Sequence, residues 1–336
     1  MSGAVASTAV EDFLDMALAG ERARAVRLIL DLLDDGVAVS RLIEEVLAVA
    51  QGRAGEHWQR YEWSVADEHL VSGVTQAALD ALAATVDYDL VHGEVVVVCA
   101  EGDWHSLPSQ LFAELLRAHG QGVVFLGAST PADDIARFVA QRRPDALAVS
   151  CSLPLNFLGV VRAVDAAHVH GVPAIAGGRA LTRTRAAALG ADAWSADVHG
   201  ALAVLRSWRR EPPQVDREPL SPDPAAMRLD AQAEELAERA YAELEQSYSP
   251  LGGYSERQRA HTREDLTYIV RFIAAARLVD DVTVFTDFRE WLAEVLEARG
   301  VPSTALEAGL AALAAQLRDI DPDAHRLAAT DTAAQQ

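Results

Sequence analysis

The chain has 336 residues, half of them hydrophobic, with 50 acidic against 29 basic side chains and a formal net charge of −21. That length calls for two or three domains, and no apolar run is long enough to cross a bilayer or serve as a signal peptide. The expected setting is therefore cytoplasmic with no membrane partner, and so acidic a surface repels phosphate backbones and argues against a nucleic-acid partner.

Residues 7 to 90 carry four runs with apolar side chains three or four apart, the signature of amphipathic helices. Gly20, Gly36 and the Glu62-Trp63-Ser64 step separate them, with Ser64 placed to cap the fourth. Such short connections predict an antiparallel four-helix bundle over residues 1–90. From residue 91 the pattern changes. Short apolar runs at 95–100, 122–127, 145–150 and 173–177 alternate with helical segments, which predicts a Rossmann-like parallel sheet over 91–210. Cys99 and Cys151 lie in these strands and read as buried free thiols. Five prolines mark residues 211–224 as part of a linker, expected to span 211–227. Residues 228–325 read as a C-terminal helical domain of four helices, and the tail AATDTAAQQ reads as disordered. The fold class is thus α/β plus all-α.

The first strand leads into Glu101-Gly102-Asp103-Trp104-His105-Ser106-Leu107-Pro108 and then a helix, at the end of the sheet where ligands bind. Asp-x-His suits a metal ligand, because the carboxylate takes a proton from one ring nitrogen and leaves the other to bind metal. The plainer alternative is a capping Asp beside an exposed His. Ser150 ends the third strand, and Gly177-Gly178 follow the fourth, where glycine lets a bulky planar group approach the backbone. The arrangement resembles the B12-binding domain of methionine synthase and its relatives, with their Asp-x-His-x-x-Gly, Ser-x-Leu and Gly-Gly signature. Pro108 stands in place of the motif's Gly and Ser152 in place of its Leu. The resemblance implies a cobalamin whose cobalt takes His105 as its lower axial ligand, with Asp103, Ser106 and Leu107 around it. It also implies a nucleotide tail lying beside Ser150, Gly177 and Gly178.

In the bundle, Trp58 is followed by nine residues and then Glu68-His69. A Trp supplies a flat apolar lid, and a Glu-His pair supplies polar contacts to a ribose or base; a core Trp beside a solvated helix face is the alternative. The pattern resembles that of light-sensing, adenosylcobalamin-dependent repressors, whose bundle caps the upper face of the corrin. Those proteins carry a histidine directly after the Trp, where this chain has Gln59, and His57 points elsewhere on the helix. Towards the C-terminus, HTREDLTYIVRFIAAARL and VFTDFREWLAEVLEARG resemble the helical extension of photocobilins, which pair B12 with biliverdin. That implies an apolar cleft of Tyr268, Phe272, Phe285, Phe288 and Trp291, with His261, Arg263 or Arg271 meeting the polar groups of a bilin. No cysteine lies there, so the bilin would be non-covalent. An aromatic stripe that is simply core is the other reading.

Together these features lead to the expectation of a non-enzymatic photoreceptor. Light would cleave the Co–C bond of adenosylcobalamin and change a homo-oligomeric state read by a downstream signalling protein. A corrinoid carrier subunit of a B12-dependent methyltransferase is the competing expectation. An adenosylcobalamin mutase subunit is weaker, since no barrel domain accompanies the sheet.

Overall fold

A computed structural model describes residues 3–215 and 218–329, and within the chain two compact units separate, Met1–Pro219 and Leu220–Gln336. The tail expected to be disordered falls largely at 330–336, outside the described residues.

The first unit opens with α1 (Gly3–Leu18) and α2 (Arg22–Asp34), separated by Gly20 in a left-handed turn at φ 73°. A continuous helical rod follows, made of α3 (Val39–Leu42), a π-helical turn (Ile43–Leu47) and α4 (Ala48–Gln59). Next comes α5 (Val65–Thr85), where Ser64 caps as expected and Asp67 completes a capping box by accepting from the Ser64 backbone. Phe13, Ile29, Leu42, Ile43, Leu47 and Leu79 fill the bundle and are fully buried.

The sheet has five parallel strands in the order β2-β1-β3-β4-β5. They are β1 (His92–Cys99), β2 (Gln121–Gly127), β3 (Ala146–Ser150), β4 (Ala174–Gly177) and β5 (Ala193–Trp194). Four were expected; the fifth is a two-residue edge strand, too short to leave an apolar run. The Val95–Val98 run in β1 is buried because helices cover both faces of the sheet. Connecting helices are α6 (Ser106–Ala118), α7 (Ala132–Arg142), α8 (Phe157–His168), α9 (Arg183–Ala188) and α10 (Val198–Arg210). Pro108 does not precede α6 but sits in its first turn, where no intrahelical N–H bond is lost. The chain leaves β1 towards β2 on one side and later enters β3 on the other. That places the switch in strand order between β1 and β3, where a crevice opens at the carboxyl ends.

The bundle and the sheet were expected as neighbouring domains, but their apolar interiors are continuous. One buried cluster runs from Phe13 and Leu79 through Leu111, Leu115 and Leu205 to Val95 and Val97.

The second unit contains, among the described residues, α11 (Pro224–Ala231), α12 (Ala233–Ser247), α13 (Glu256–Val279), α14 (Thr283–Ala298), α15 (Ser303–Leu317) and α16 (Pro322–Ala329). Four helices were expected here, and the linker was expected to reach residue 227. Pro224 instead starts α11, because proline suits the first helical position and the Asp223 side chain caps the Ala225 N–H.

Candidate functional site

At the β1–β3 crevice the Asp103 carboxylate is wholly buried, and bonds from two loops hold it. Oδ1 accepts from the His105 N–H and from the His105 ring at Nδ1, both at 3.0 Å, while Oδ2 accepts from the Ser152 N–H after β3. Ser129 ties in the loop after β2: its N–H donates to the Asp103 carbonyl (2.9 Å), and its hydroxyl accepts from the Gly102 N–H (3.0 Å). Loops after three strands are thereby tied to Asp103 and its neighbour, two through its carboxylate and one through the main chain.

An ionised carboxylate only accepts, so Nδ1 of His105 carries the proton and Nε2 keeps its lone pair. The ring stays more than half exposed, with 57% of its side-chain surface accessible. The bond to Asp103 raises the His105 pKa above its ordinary value, against the opposing effect of burial. Burial pushes Asp103 upward, but the bonds from His105 and Ser152 outweigh it and leave its pKa lowered. Both cysteines are buried and unpaired beneath the loop, where burial holds them as thiols, Cys99 at about 11.

Across the crevice, Cys99, Ser150 and Gly177 are aligned register partners on β1, β3 and β4. The glycine pair makes close backbone contacts of its own. A Cβ on Gly178, at φ 101°, would lie 2.5 Å from the Cys151 carbonyl oxygen, and one on Gly177 would lie 2.9 Å from that of Ser195. Both glycines therefore admit the protein's own backbone. Ser106 and Leu107 begin α6 and are partly buried. Trp104, passed over in the sequence, is 76% exposed beside His105.

The bundle brings a second group to this side. Gln76 donates to Gln110 (2.7 Å) and Gln110 to Asp80 (3.0 Å), fixing α5 on α6, the helix that starts directly after His105. Glu68, on the first turns of α5, lies close enough for its charge to raise His105 further. Its Oε1 accepts from Ser72 Oγ (2.6 Å) and Gln51 Nε2 (3.2 Å). The exposed His69 ring has Nε2 3.7 Å from Glu68 Oε2. Trp58 is partly buried in the last turn of α4, while His57 is engaged with Glu62 and stacks on Trp63 at 4.4 Å. Gln51 and Ser72 were not singled out in the sequence. The available signal was spacing: Ser72 is one turn from Glu68, and Gln51 two turns from Trp58.

The residues expected to hold a bilin are distributed differently. Phe272 and Phe288 stack face to face at 3.6 Å and are buried, and Phe285 is buried as well, so these rings fill the core. Arg263 lies over the Tyr241 ring at 3.7 Å and pairs with Glu238, Arg271 pairs with Glu234, and His261 pairs with Glu264. Among the expected lining residues, Tyr268 is exposed and Trp291 partly so.

The donor set fits an axial site. Among the described residues no three His, Cys, Asp or Glu side chains converge on one point. A metal at His105 would thus bring its own equatorial ligands, as the cobalt of a corrin does. Two family models, each described as a B12 binding domain, match residues 93–203 and 9–83. Residues 9–83 and 93–203 belong to the B12-binding domain families. An HTH-type transcriptional repressor, CarH of Myxococcus xanthus, is 32% identical over 143 residues, covering 42% of this chain and 48% of its own. The match thus spans about half the length of that curated relative. The monomethylamine corrinoid protein of Methanosarcina barkeri superposes with a TM-score of 0.53 at 19% identity, over 60% of this chain and 99% of its own. That likeness concerns the fold alone. No helix of the described residues is long and apolar enough to cross a membrane.

Proposed function

We propose that this B12-binding chain is a light-responsive sensor rather than an enzyme, holding adenosylcobalamin between the sheet and the bundle. The observation that carries the reading is the buried Asp103 carboxylate orienting the exposed His105 ring at the strand ends, with Glu68-His69 on α5, the helix that Gln76 and Gln110 fix to α6. A bundle carboxylate on a helix tied to the one that follows His105 suits a cofactor with a polar upper ligand, and Trp58 with Glu68-His69 resembles the pattern of the light-sensing repressors. His105 would ligate the cobalt from below through Nε2, with Asp103 orienting the ring. Ser150 and the Gly177-Gly178 turn would border the nucleotide tail. The cofactor supplies a Co–C bond that light can break. The protein contributes a lid whose contacts depend on what occupies the space above His105, so loss of an upper ligand would shift the bundle and alter homo-oligomeric state. A downstream protein would read that change.

The C-terminal unit belongs to the same reading as the seat of a second, non-covalent chromophore of the biliverdin type. The accessible surfaces of Tyr268 and Trp291 are where a tetrapyrrole would meet it, since Phe272 and Phe288 are occupied with each other.

The test is a spectrum and a size measurement on protein loaded with adenosylcobalamin in the dark, before and after green light. Both should change. No change, together with stable binding of methylcobalamin, would replace the sensor with a corrinoid carrier for a methyltransferase. Biliverdin that adds no red absorbance would remove the second chromophore and leave the rest.

A further inference from the structure

The rod that ends in Trp58 is not a uniform helix. At its middle, in the π-helical turn Ile43–Leu47, the Ala48 N–H bonds the Ile43 carbonyl five residues back, whereas Leu42 bonds Ala38 four back. The turn thus holds one residue more than an α-helix needs, and such turns are rare and sit mostly at functional positions. Closing it to α geometry with the same residues would rotate everything beyond it by about 100° around the axis.

Contacts hold the rod on both sides of the turn. On the near side Arg41 forks onto Glu45 (2.7 and 3.1 Å), and His199, in the first turn of α10, reaches Glu44 at 3.4 Å. His119 at the end of α6 braces the His199 ring edge-on, with centroids 5.6 Å apart. On the far side Gln51 donates to Ser72 (2.7 Å) and Glu68 (3.2 Å) of α5. The half beyond the turn is built to rotate. The fully buried side chains of α4 are Ala50 and Ala54, two methyl groups, and a Cβ on Gly52 or Gly55 would meet none of the described neighbours within 4 Å. Little apolar burial and little steric hindrance oppose a change of phase.

We propose that the Ile43–Leu47 turn is a register switch, wide while α5 holds Gln51 and closing to α geometry when α5 moves, so that Trp58 swings around the axis of α4. The trigger by light rests on the sensor reading; the switch adds the element that turns a shift of the lid into a rotation.

Deletion of Glu45 tests it, because the Ala48–Ile43 bond then spans four residues and both halves of the rod keep their places without a π turn. Glu45→Ala, which drops the Arg41 pair and keeps the residue count, is the control. Ala54→Cys in each full-length background reports rotation by its rate of thiol labelling, and the two native thiols are buried. The protein is measured free, loaded with adenosylcobalamin in the dark, and loaded then illuminated. With the turn intact, in wild type and in Glu45→Ala, labelling should be at least about tenfold faster when free or illuminated than when loaded in the dark. The deletion variant should bind adenosylcobalamin in the dark within about twofold of wild type and label slowly in all three states. A deletion variant that labels as wild type does, or that fails to fold or to bind, would overturn the switch. So would equal labelling of free and loaded wild type, or a Glu45→Ala variant that behaves as the deletion. Wild type that differs between free and loaded but ignores light would sink the sensor reading and leave the switch standing.

Discussion

Asp103 accepts three hydrogen bonds while fully buried, and the proton it holds on Nδ1 decides whether His105 can serve as a ligand. A doubly protonated ring has no lone pair to offer, so ligation is lost as pH falls through the raised His105 value. Asp103→Asn removes the main cause of that rise and sets an amide NH2 against the Ser152 or His105 donors. In the ligand-free chain, NMR titration of His105 should give a value above the ordinary 6.5 or so for wild type and a lower one for the variant. A variant value equal to or above wild type would refute the pairing. The stability linkage has a defined sign. His105 has a raised pKa, so its contribution is complete below the ordinary histidine value and fades as pH rises through the raised one. Asp103 has a lowered pKa, so its contribution holds above the ordinary aspartate value and fades as pH drops through the lowered one. This dyad was legible in the sequence because its members are two residues apart. The Ser152 N–H, 49 residues from Asp103, was not, since the sheet topology alone brings it there. Gln51, 17 residues from Glu68, was hidden for the same kind of reason, the pairing of two helices.

Among elements, what was readable followed length and pattern. Long amphipathic helices and the Val95–Val98 run declared themselves, whereas the β1–β3 switch point comes from strand pairing, which the chain order does not reveal. A two-residue edge strand leaves no pattern, and Pro224 reads as linker until Asp223 is seen capping the helix that it starts. The Phe272–Phe288 stack shows why an aromatic stripe cannot separate pocket from core, since either use needs the same spacing. The turn after β4 gives a direct test of the close approach at the site. Gly178→Ala would place a Cβ 2.5 Å from the Cys151 carbonyl oxygen in a conformation that L residues avoid. Strain of that kind costs roughly 2 kcal/mol or more, which lowers the melting temperature of a unit this size by about 4–8 °C. Because Cys151 adjoins Ser152, whose N–H bonds Asp103, cobalamin affinity should fall with it. A variant with unchanged melting temperature and affinity would show that the turn has room to relax.

For the whole molecule, the continuous apolar interior makes a claim that a two-domain description would not. Helices on one face of the sheet share their buried side chains with the bundle, so neither part has a complete core alone. A lid that is also half of a core can transmit a change: displacing α5 disturbs α6, which begins directly after His105. Native-state hydrogen exchange tests this coupling. Leu79 is fully buried in the bundle, and Leu79→Ala should cost about 2–5 kcal/mol. If bundle and sheet open together, amides of Val95–Val98 in β1 lose protection by the same free energy as those around Leu79. Amides of α12 and α13, in the separate unit from Leu220 onward, should not move. Loss of protection confined to the bundle, with β1 unchanged, would mean the two parts fold apart. A signal from above His105 would then need a route other than their common core.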